Sequence, residues 1–332
     1  MLVWFLPVFL LLLMLGLPVF FGLLVAPGVL LWLSGQERDL ALLYRNVYNG
    51  MDSFPLMALP FFMLAGELMN RGGITLRLVE FAQALMGHFR GGLAQVNILT
   101  SMLFAGLSGS AVADTSAIGS TLIPAMEKNG YTRKFAAAVT AASSVIGPII
   151  PPSGIMIIYA YVMGESVAAL FLAGIIPGIM VGLGLMLVVR LLADRYDLPK
   201  AERIVEKNQT ITPLEGRVSF VLLRINLAGL LVAIYTGVRA VLSSTVGVDI
   251  SVNGWVVFLI FLPVAHVFLL RLRKKVSSDF RVVCKKAVAP LQTPIIILGG
   301  ILVGVFTPTE ASSVAVAYAL IISFFVLKSI SL

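Results

Sequence analysis

The chain has 332 residues, of which 59% are hydrophobic and 12% charged, and its formal net charge is +8. Soluble domains carry about 25% charged residues, so this composition excludes an ordinary soluble protein and predicts an all-α polytopic membrane protein. The basic residues concentrate between apolar segments, where they indicate topology, so no nucleic-acid partner is expected. Cys284 is the only cysteine, which excludes an intrachain disulfide and a cysteine metal cluster.

Apolar segments recur along the whole chain and are separated by basic or polar connections. A cytoplasmic linker is predicted at 193–217, and an outer loop without Lys or Arg at 241–253. Seven Lys or Arg residues in 271–286 predict a basic loop. The predicted apolar segments are 2–15, 17–33, 54–69, 93–107, 111–126, 135–163, 168–192, 218–240, 254–270, 288–305 and 308–327.

Two ends of the chain share a weak pattern of a helix, a break marked by Gly and Pro, and a second helix. It occurs at residues 6–18 and again at 293–308. Inverted repeats of this kind are typical of secondary transporters, although chance similarity in sequence rich in Leu, Pro and Gly is an open alternative. The pattern predicts a first membrane repeat at 1–192 and the start of a second repeat at 288–332.

Residues 91–126 form a long apolar stretch whose only charge is Asp114, in a cluster of Ser, Gly and Thr. As helices, its halves would each be about 22–24 Å long, shorter than the bilayer core of about 30 Å. Basic residues flank both ends, including Arg90 and Lys128, which predicts that both ends lie on the cytoplasmic side. The segment is therefore predicted to be a re-entrant helical hairpin; the alternative is one spanning helix with a polar centre.

The charge-free segment 135–163 contains Pro148, Pro151 and Pro152, which remove three backbone donors. This spacing predicts an unwound stretch through 147–154. Its freed carbonyls would suit a cation, and the N-terminus of the next half-helix would suit an anion. A proline kink without a ligand is the simpler alternative.

Other polar residues give weaker indications of function. Glu67 lies in an apolar segment, where a functional role and a solvated or helix-contact role are both open. Glu310 is predicted to stabilise the first turn of a helix. The run Gly106–Gly109 fits the G-x-S-G pattern of rhomboid-like intramembrane serine proteases, with Ser108 as nucleophile and His266 as base. Neither His266 nor His88 has a metal-ligand companion at suitable spacing.

Four motifs carry a resemblance to a known family. They are DSFPLMALPFFMLAGELMNRGG at 52–73, LFAGLSGSAVADTSAIGSTLIPAM at 103–126, KFAAAVTAASSVIGPIIPPSG at 134–154 and PIIILGGILVGVFTPTEASSVAVAYAL at 294–320. In this order they resemble the large membrane subunit of TRAP (tripartite ATP-independent periplasmic) transporters. The resemblance implies an elevator-type ion-transporter fold with a re-entrant hairpin and broken helices, in a multi-pass protein of the bacterial inner (cytoplasmic) membrane.

The same resemblance implies a sodium-driven permease rather than an enzyme, with no cofactor beyond the coupling ion. Its substrate would be a small organic acid, C4-dicarboxylate-like, delivered by a periplasmic binding protein. A small four-helix membrane subunit would be a second partner. Carried over to this chain, the ion and substrate site would comprise Ser108, Gly109, Ser110, Asp114, Gly147, Pro148, Ile149, Pro152 and Ser153, with Ser108, Ser110 and Gly147 at sodium.

The chain also departs from the family pattern. Residues 218–287 contain an extra spanning pair and basic loop that do not align with it. The second hairpin and its proline-rich partner are absent, so the second repeat is only begun and a C-terminally truncated permease is expected. Two other functions are open at this stage, the rhomboid-like protease and a non-transporting membrane fragment.

Overall fold

The computed structural model describes residues 2–35, 40–199, 211–246, 254–327 and 329. Within these ranges the regular elements are helices, and the chain divides into two compact units, Met1–Leu56 and Met57–Leu332. The first unit contains α1 (Leu2–Met14), α2 (Val19–Leu33) and α3 (Leu40–Met51). The second contains α4 (Ala58–Arg71), α5 (Ile74–Met86), α6 (Gly92–Ser108), α7 (Ala111–Lys128), α8 (Arg133–Ser144), α9 (Gly154–Met163), α10 (Val167–Leu192), α11 (Pro213–Val246), α12 (Gly254–Lys275), α13 (Ser278–Leu302) and α14 (Pro308–Ile321), followed by a π-helical turn at Ile322–Val326.

In the first unit, α1 and α2 pack together and a short break separates them. Gly16 adopts φ +85°, a left-handed conformation that ends α1, and its amide donates to the Leu13 carbonyl at 2.9 Å. Pro18 then precedes α2, where its missing amide hydrogen costs no helical hydrogen bond. The helix, break and helix predicted for this end of the chain are therefore present.

The second unit contains a connection of the same kind between α13 and α14. Gly304 adopts φ +75°, and Pro308 is the first residue of α14. Pro294 lies inside α13 rather than at the break. The breaks thus follow the left-handed glycines, and an inverted repeat relating the two ends stays a prediction.

Helix α6 lies at the centre of the second unit, in contact with α4, α5, α7, α8, α10 and α13. Leu93 and Ile98 belong to an apolar cluster shared with α7, α8 and α10. Phe104 and Leu107 belong to a second cluster shared with α4, α5 and α7. A helix that packs on all sides is fixed within the protein, so α6 holds its C-terminal end in a defined position.

Among the described residues, five helical stretches are long and apolar enough to cross a membrane: Val167–Leu192, Pro213–Thr236, Gly254–Arg273, Ser278–Ile301 and Pro308–Val326. Their length matches the about 20 residues that a bilayer requires. The chain is therefore a multi-pass, all-helical membrane protein, as the composition predicts.

The region 218–287 differs in one respect from the prediction. Helix α12 continues to Lys275 and α13 begins at Ser278, so most of the stretch predicted as a basic loop at 271–286 is helical. Lys and Arg are good helix formers, and Arg281 donates from Nη1 to the Arg273 carbonyl at 2.9 Å near the end of α12. The predicted linker at 193–217 and outer loop at 241–253 fall partly outside the described residues, at 200–210 and 247–253.

Helices α3 and α5 do not appear among the predicted apolar segments. Helix α5 alternates apolar residues with Arg77, Glu80 and Gln83, so it has no continuous apolar run. Its apolar face is buried against α6, and Arg77 forms an ion pair with Glu215 at the start of α11. An amphipathic helix buried in this way needs a search for periodicity rather than for runs.

Candidate functional site

The serine-rich segment folds into two helices with a two-residue break. Gly109 ends α6 in the left-handed conformation, at φ +59°. Ser110 is extended and caps α7, because its Oγ accepts a hydrogen bond from the Ala113 amide at 3.4 Å. Asn97, near the start of α6, lies 3.7 Å from the sulfur of Met126, near the end of α7. The two helices are therefore antiparallel and form a hairpin with Gly109 and Ser110 at its tip.

The re-entrant placement of this hairpin in a membrane is a prediction that cysteine labelling tests. Single cysteines at His88 and Asn129, both exposed just outside the hairpin, are introduced in a Cys284→Ser background. We expect a membrane-impermeant maleimide to reach both sites only from the cytoplasmic side, because basic residues flank both ends. Labelling of the two sites from opposite faces would mean that the segment spans the membrane.

The proline-rich segment is unwound between α8 and α9. Helix α8 ends at Ser144 and α9 begins at Gly154, with turns and bends between them. Ser153 caps α9 by accepting a hydrogen bond from the Met156 amide at 3.4 Å. The interruption predicted from Pro148, Pro151 and Pro152 is thus present.

The hairpin tip and the unwound segment touch at Gly109. A Cβ atom built on Gly109 would overlap the Pro152 carbonyl oxygen and lie 3.0 Å from the Cα of Ser153. Only glycine permits this approach, both because of its left-handed φ and because of the contact. The backbone of the tip therefore packs directly on the backbone that precedes α9.

Asp114 lies behind this contact, with 0% of its surface exposed. The Ser108 hydroxyl donates a hydrogen bond to Oδ1, whereas Oδ2 is buried without a hydrogen-bond partner. A Cβ on Gly147 would lie 2.6 Å from Oδ2 and 3.2 Å from the carbonyl carbon of Ser110. Asp114 is thus enclosed by Ser108, Ser110 and Gly147, with one carboxylate oxygen unsatisfied.

Most of the predicted site residues come together in this way. Ile149 differs, because its carbonyl oxygen faces Gly174 of α10, where a Cβ would lie only 2.5 Å away. Pro148 is partly buried in the same turn. The residues brought together are Ser108, Gly109, Ser110, Asp114, Gly147, Pro152 and Ser153.

Two helix N-termini start at the contact. Helix α7 begins after Ser110 and α9 begins after Ser153, and each serine satisfies one amide of its helix. The remaining free amides and the helix dipole make such ends favourable for anions. The buried Asp114 carboxylate, which suits a cation, therefore lies next to the N-termini of α7 and α9, which suit an anion.

A buried polar ladder, absent from the predicted site, fixes α6 against α8. The Asn97 amide donates to Thr140 Oγ1 at 2.7 Å, and the Ser101 hydroxyl donates to Ser143 Oγ at 2.8 Å. All four side chains have 0% exposure. Buried, fully paired polar groups specify a single register between two helices. The ladder therefore fixes where the tip lies along the α6 axis relative to the unwound segment. The signal in the sequence is the four-residue spacing of Asn97 and Ser101, which places both on one face of α6.

Two further helices flank the tip. A Cβ on Gly66 of α4 would lie 3.3 Å from the Leu107 carbonyl oxygen and 3.4 Å from the Cα of Ser108. On the other side, a Cβ on Gly106 would lie 3.0 Å from Cγ of Pro294 in α13. The tip is therefore held between α4, α13 and the unwound segment, and neither Gly66 nor Pro294 was among the predicted site residues.

The remaining polar candidates have structural explanations. Glu67 is half exposed and forms an ion pair with Arg71 at 2.6 Å, which supports the solvated role. Glu310 accepts a hydrogen bond from the Thr307 amide at 2.8 Å in a capping box, as predicted. The ring of His266 contacts Phe220, with 5.8 Å between centroids, whereas Ser108 is bonded to Asp114. In the described ranges, no group of three or more His, Cys, Asp or Glu residues is placed to hold a metal ion.

Comparison with known proteins identifies the family. The sequence model of the tripartite ATP-independent periplasmic transporter, DctM component, matches residues 6–257 and 252–332. The chain belongs to the DctM family. The resemblance seen in the four motifs is thereby confirmed. The matched residues include 218–287, so the prediction that this region does not align with the family is wrong.

Named relatives in this family are permease proteins. The chain is 34% identical over 327 residues to the sialic acid TRAP transporter permease protein SiaT of Haemophilus influenzae, covering 98% of this chain and 41% of the relative. It is 36% identical over 309 residues to the 2,3-diketo-L-gulonate TRAP transporter large permease protein YiaN of Escherichia coli, covering 93% and 56%. It is 32% identical over 311 residues to the C4-dicarboxylate TRAP transporter large permease protein DctM of Pseudomonas aeruginosa, covering 94% and 56%.

The DctM relatives bear on both the function and the length of the chain. They are transporters rather than enzymes, which confirms the prediction that the chain is not an enzyme. The chain spans about half the length of the curated relatives it matches.

Proposed function

We propose that this DctM-family chain takes part in sodium-coupled uptake of a small organic acid across the inner membrane of a bacterium. The observation that carries the proposal is the contact between the hairpin tip and the unwound segment. It encloses Asp114, whose Oδ2 has no hydrogen-bond partner. Both the tip and the unwound segment belong to the motifs that resemble the family.

The coupling ion binds beside Asp114. A buried carboxylate without a compensating charge is costly, because it loses its hydration. A sodium ion offsets this cost, and hydroxyl, carbonyl and carboxylate oxygens are the ligands that hard cations prefer. Ser108 and Ser110 supply such oxygens, and Gly147 allows its backbone to lie against Oδ2.

The substrate carboxylate binds at the helix ends. Sodium first neutralises Asp114, and the free amides of α7 and α9 then receive the anion. Sialic acid, 2,3-diketo-L-gulonate and C4-dicarboxylates, named for the relatives, are all organic acids. The proposed substrate class is therefore small organic acids, with C4-dicarboxylates among its members.

Transport proceeds by an elevator movement in which the hairpin and the unwound segment travel together. The close backbone contact at Gly109 and the ladder between α6 and α8 favour movement as one body. A periplasmic binding protein delivers the acid, and a small four-helix membrane subunit completes the transporter. Each net positive charge moved inward gains about 2.3 kcal/mol per 100 mV, or roughly fifty-fold accumulation.

Uptake into vesicles tests this function. The complete permease, with its small subunit and binding protein, is reconstituted without ATP, and labelled C4-dicarboxylate or sialic acid is supplied outside. We expect an inward sodium gradient to drive accumulation, and an equal potassium gradient to give none. Uptake that is indifferent to sodium would contradict ion coupling at Asp114, and uptake that requires ATP would contradict the secondary-transport mechanism.

A further inference from the structure

An apolar groove lies between α6, α8 and α10, away from the hairpin tip. Its volume is about 240 Å³, and its walls include Ala138 and Ala142 of α8 and Val188 and Leu192 of α10. These side chains recur at the helical spacing of three or four residues, so the groove runs along both helices. Helix α10 is a candidate membrane span that ends at Leu192, which places one end of the groove at a membrane surface.

Two aromatic residues close that end of the groove. Phe135, in the first turn of α8, and Tyr196, just after α10, both line the groove, and their ring centroids are 5.6 Å apart. Tyr196 is 57% exposed and also borders the apolar wall of the groove. Aromatic residues in this position are typical of the boundary between hydrocarbon and headgroups.

Two cations stand at the same end. Lys134 precedes Ala138 by four residues and therefore lies on the helix face that lines the groove, one turn nearer the surface. Arg195 lies in the turn next to Tyr196. Both are exposed, and among the described residues neither has an ion-pair partner.

Within the part of the chain that the structure describes, the acids nearby in the sequence are already engaged. Asp194 and Asp197 form ion pairs with Arg90, the latter at 3.3 Å. Glu127 lies 3.9 Å from Arg133. Lys134 and Arg195 thus remain as cations beside the aromatic end of the apolar groove. The cations are complementary to the headgroup of an anionic phospholipid, and the groove is complementary to its acyl chain.

We propose that this groove binds one acyl chain of an anionic phospholipid, with its phosphate held by Lys134 and Arg195. The tail alone gives little selectivity, because the surrounding bilayer is equally apolar. Selectivity comes from the two cations, since a basic residue near the surface attracts an anionic headgroup. The headgroup end of the groove is separate from the sodium and substrate site, because Lys134 and Tyr196 lie at the opposite ends of α8 and α10 from the segments that approach the tip.

Native mass spectrometry on the purified chain tests the proposal. The chain is taken from vesicles of equal phosphatidylglycerol and phosphatidylcholine, and the lipid that remains bound is counted. We expect phosphatidylglycerol to be retained in preference by about twenty-five-fold, from roughly fivefold for each cation. The double variant Lys134→Gln and Arg195→Gln is expected to lose this preference.

Variants that add a bulky side chain distinguish lipid bound in the groove from lipid bound elsewhere on the protein surface. Ala138→Trp fills the groove and is expected to remove the retained lipid. Ala137→Trp adds the same side chain at an exposed position of α8 that does not line the groove, and is expected to retain it. Equal retention of the two lipids by the unmodified chain would overturn the proposal, as would a preference that survives the Gln variants. The Gln variants replace only the exposed side chains of Lys134 and Arg195. The test therefore does not depend on folding of the Trp variant.

Discussion

Replacing Asp114 with Asn is expected to raise strongly the sodium concentration that uptake requires, while leaving the fold intact. Asn has the same shape and still accepts the hydrogen bond of the Ser108 hydroxyl, but it carries no charge to bind sodium. Loss of one partner from a buried charge pair costs about 2 kcal/mol or more, so the sodium concentration for half-maximal uptake should rise at least about thirtyfold. Uptake as a function of sodium concentration measures this shift.

Glu67→Gln is the matched control for that experiment. It also neutralises one carboxylate, but Glu67 is half exposed and paired with Arg71 on the surface of α4. An exposed pair of this kind contributes at most about 1 kcal/mol, so sodium dependence should stay unchanged. If both variants shift the sodium dependence equally, general charge rather than the buried site is responsible.

Replacing Gly109 with Ala is expected to separate the hairpin tip from the unwound segment and to eliminate transport. The added Cβ meets the Pro152 carbonyl oxygen and the Cα of Ser153, both backbone atoms that cannot rotate away. Overpacking costs about 1–3 kcal/mol, and the left-handed conformation adds about 1 kcal/mol. The midpoint of thermal unfolding in detergent should fall, and uptake should be lost.

Gly164→Ala isolates the contribution of the backbone conformation. Gly164 has φ +70°, close to that of Gly109, but no atom lies within 4 Å of a Cβ built there. This variant should show only the loss of about 1 kcal/mol from strain and should keep most of its uptake. Equal damage from the two substitutions would show that the contact with Pro152 has no special role.

The sequence predicts those parts of the site that depend on local chemistry. Pro148, Pro151 and Pro152 predict the unwound segment because proline removes amide donors and restricts its predecessor. Ser108, Gly109 and Ser110 predict a break because the helices on either side are otherwise apolar and short. Resemblance to the family then supplied the expectation that the two segments meet.

Contacts between distant segments are not readable from such local patterns. Asn97 and Thr140 are 43 residues apart, and Gly109 and Pro152 are also 43 apart, so no spacing rule relates them. Helix α5 was missed for a different reason, since Arg77 and Glu80 interrupt its apolar run although its inner face is buried. Its Arg77 is paired with Glu215 across 138 residues, a partner that only the tertiary structure reveals.

Equilibrium binding of sodium is the most direct test of the ion site at Asp114. Isothermal titration calorimetry is performed on the complete permease, with sodium chloride or potassium chloride in a choline buffer, for the natural protein and for Asp114→Asn. We expect a saturable heat with sodium, none with potassium, and none over the same sodium concentrations after the substitution. A sodium heat that is the same in Asp114→Asn would mean that sodium does not bind at Asp114.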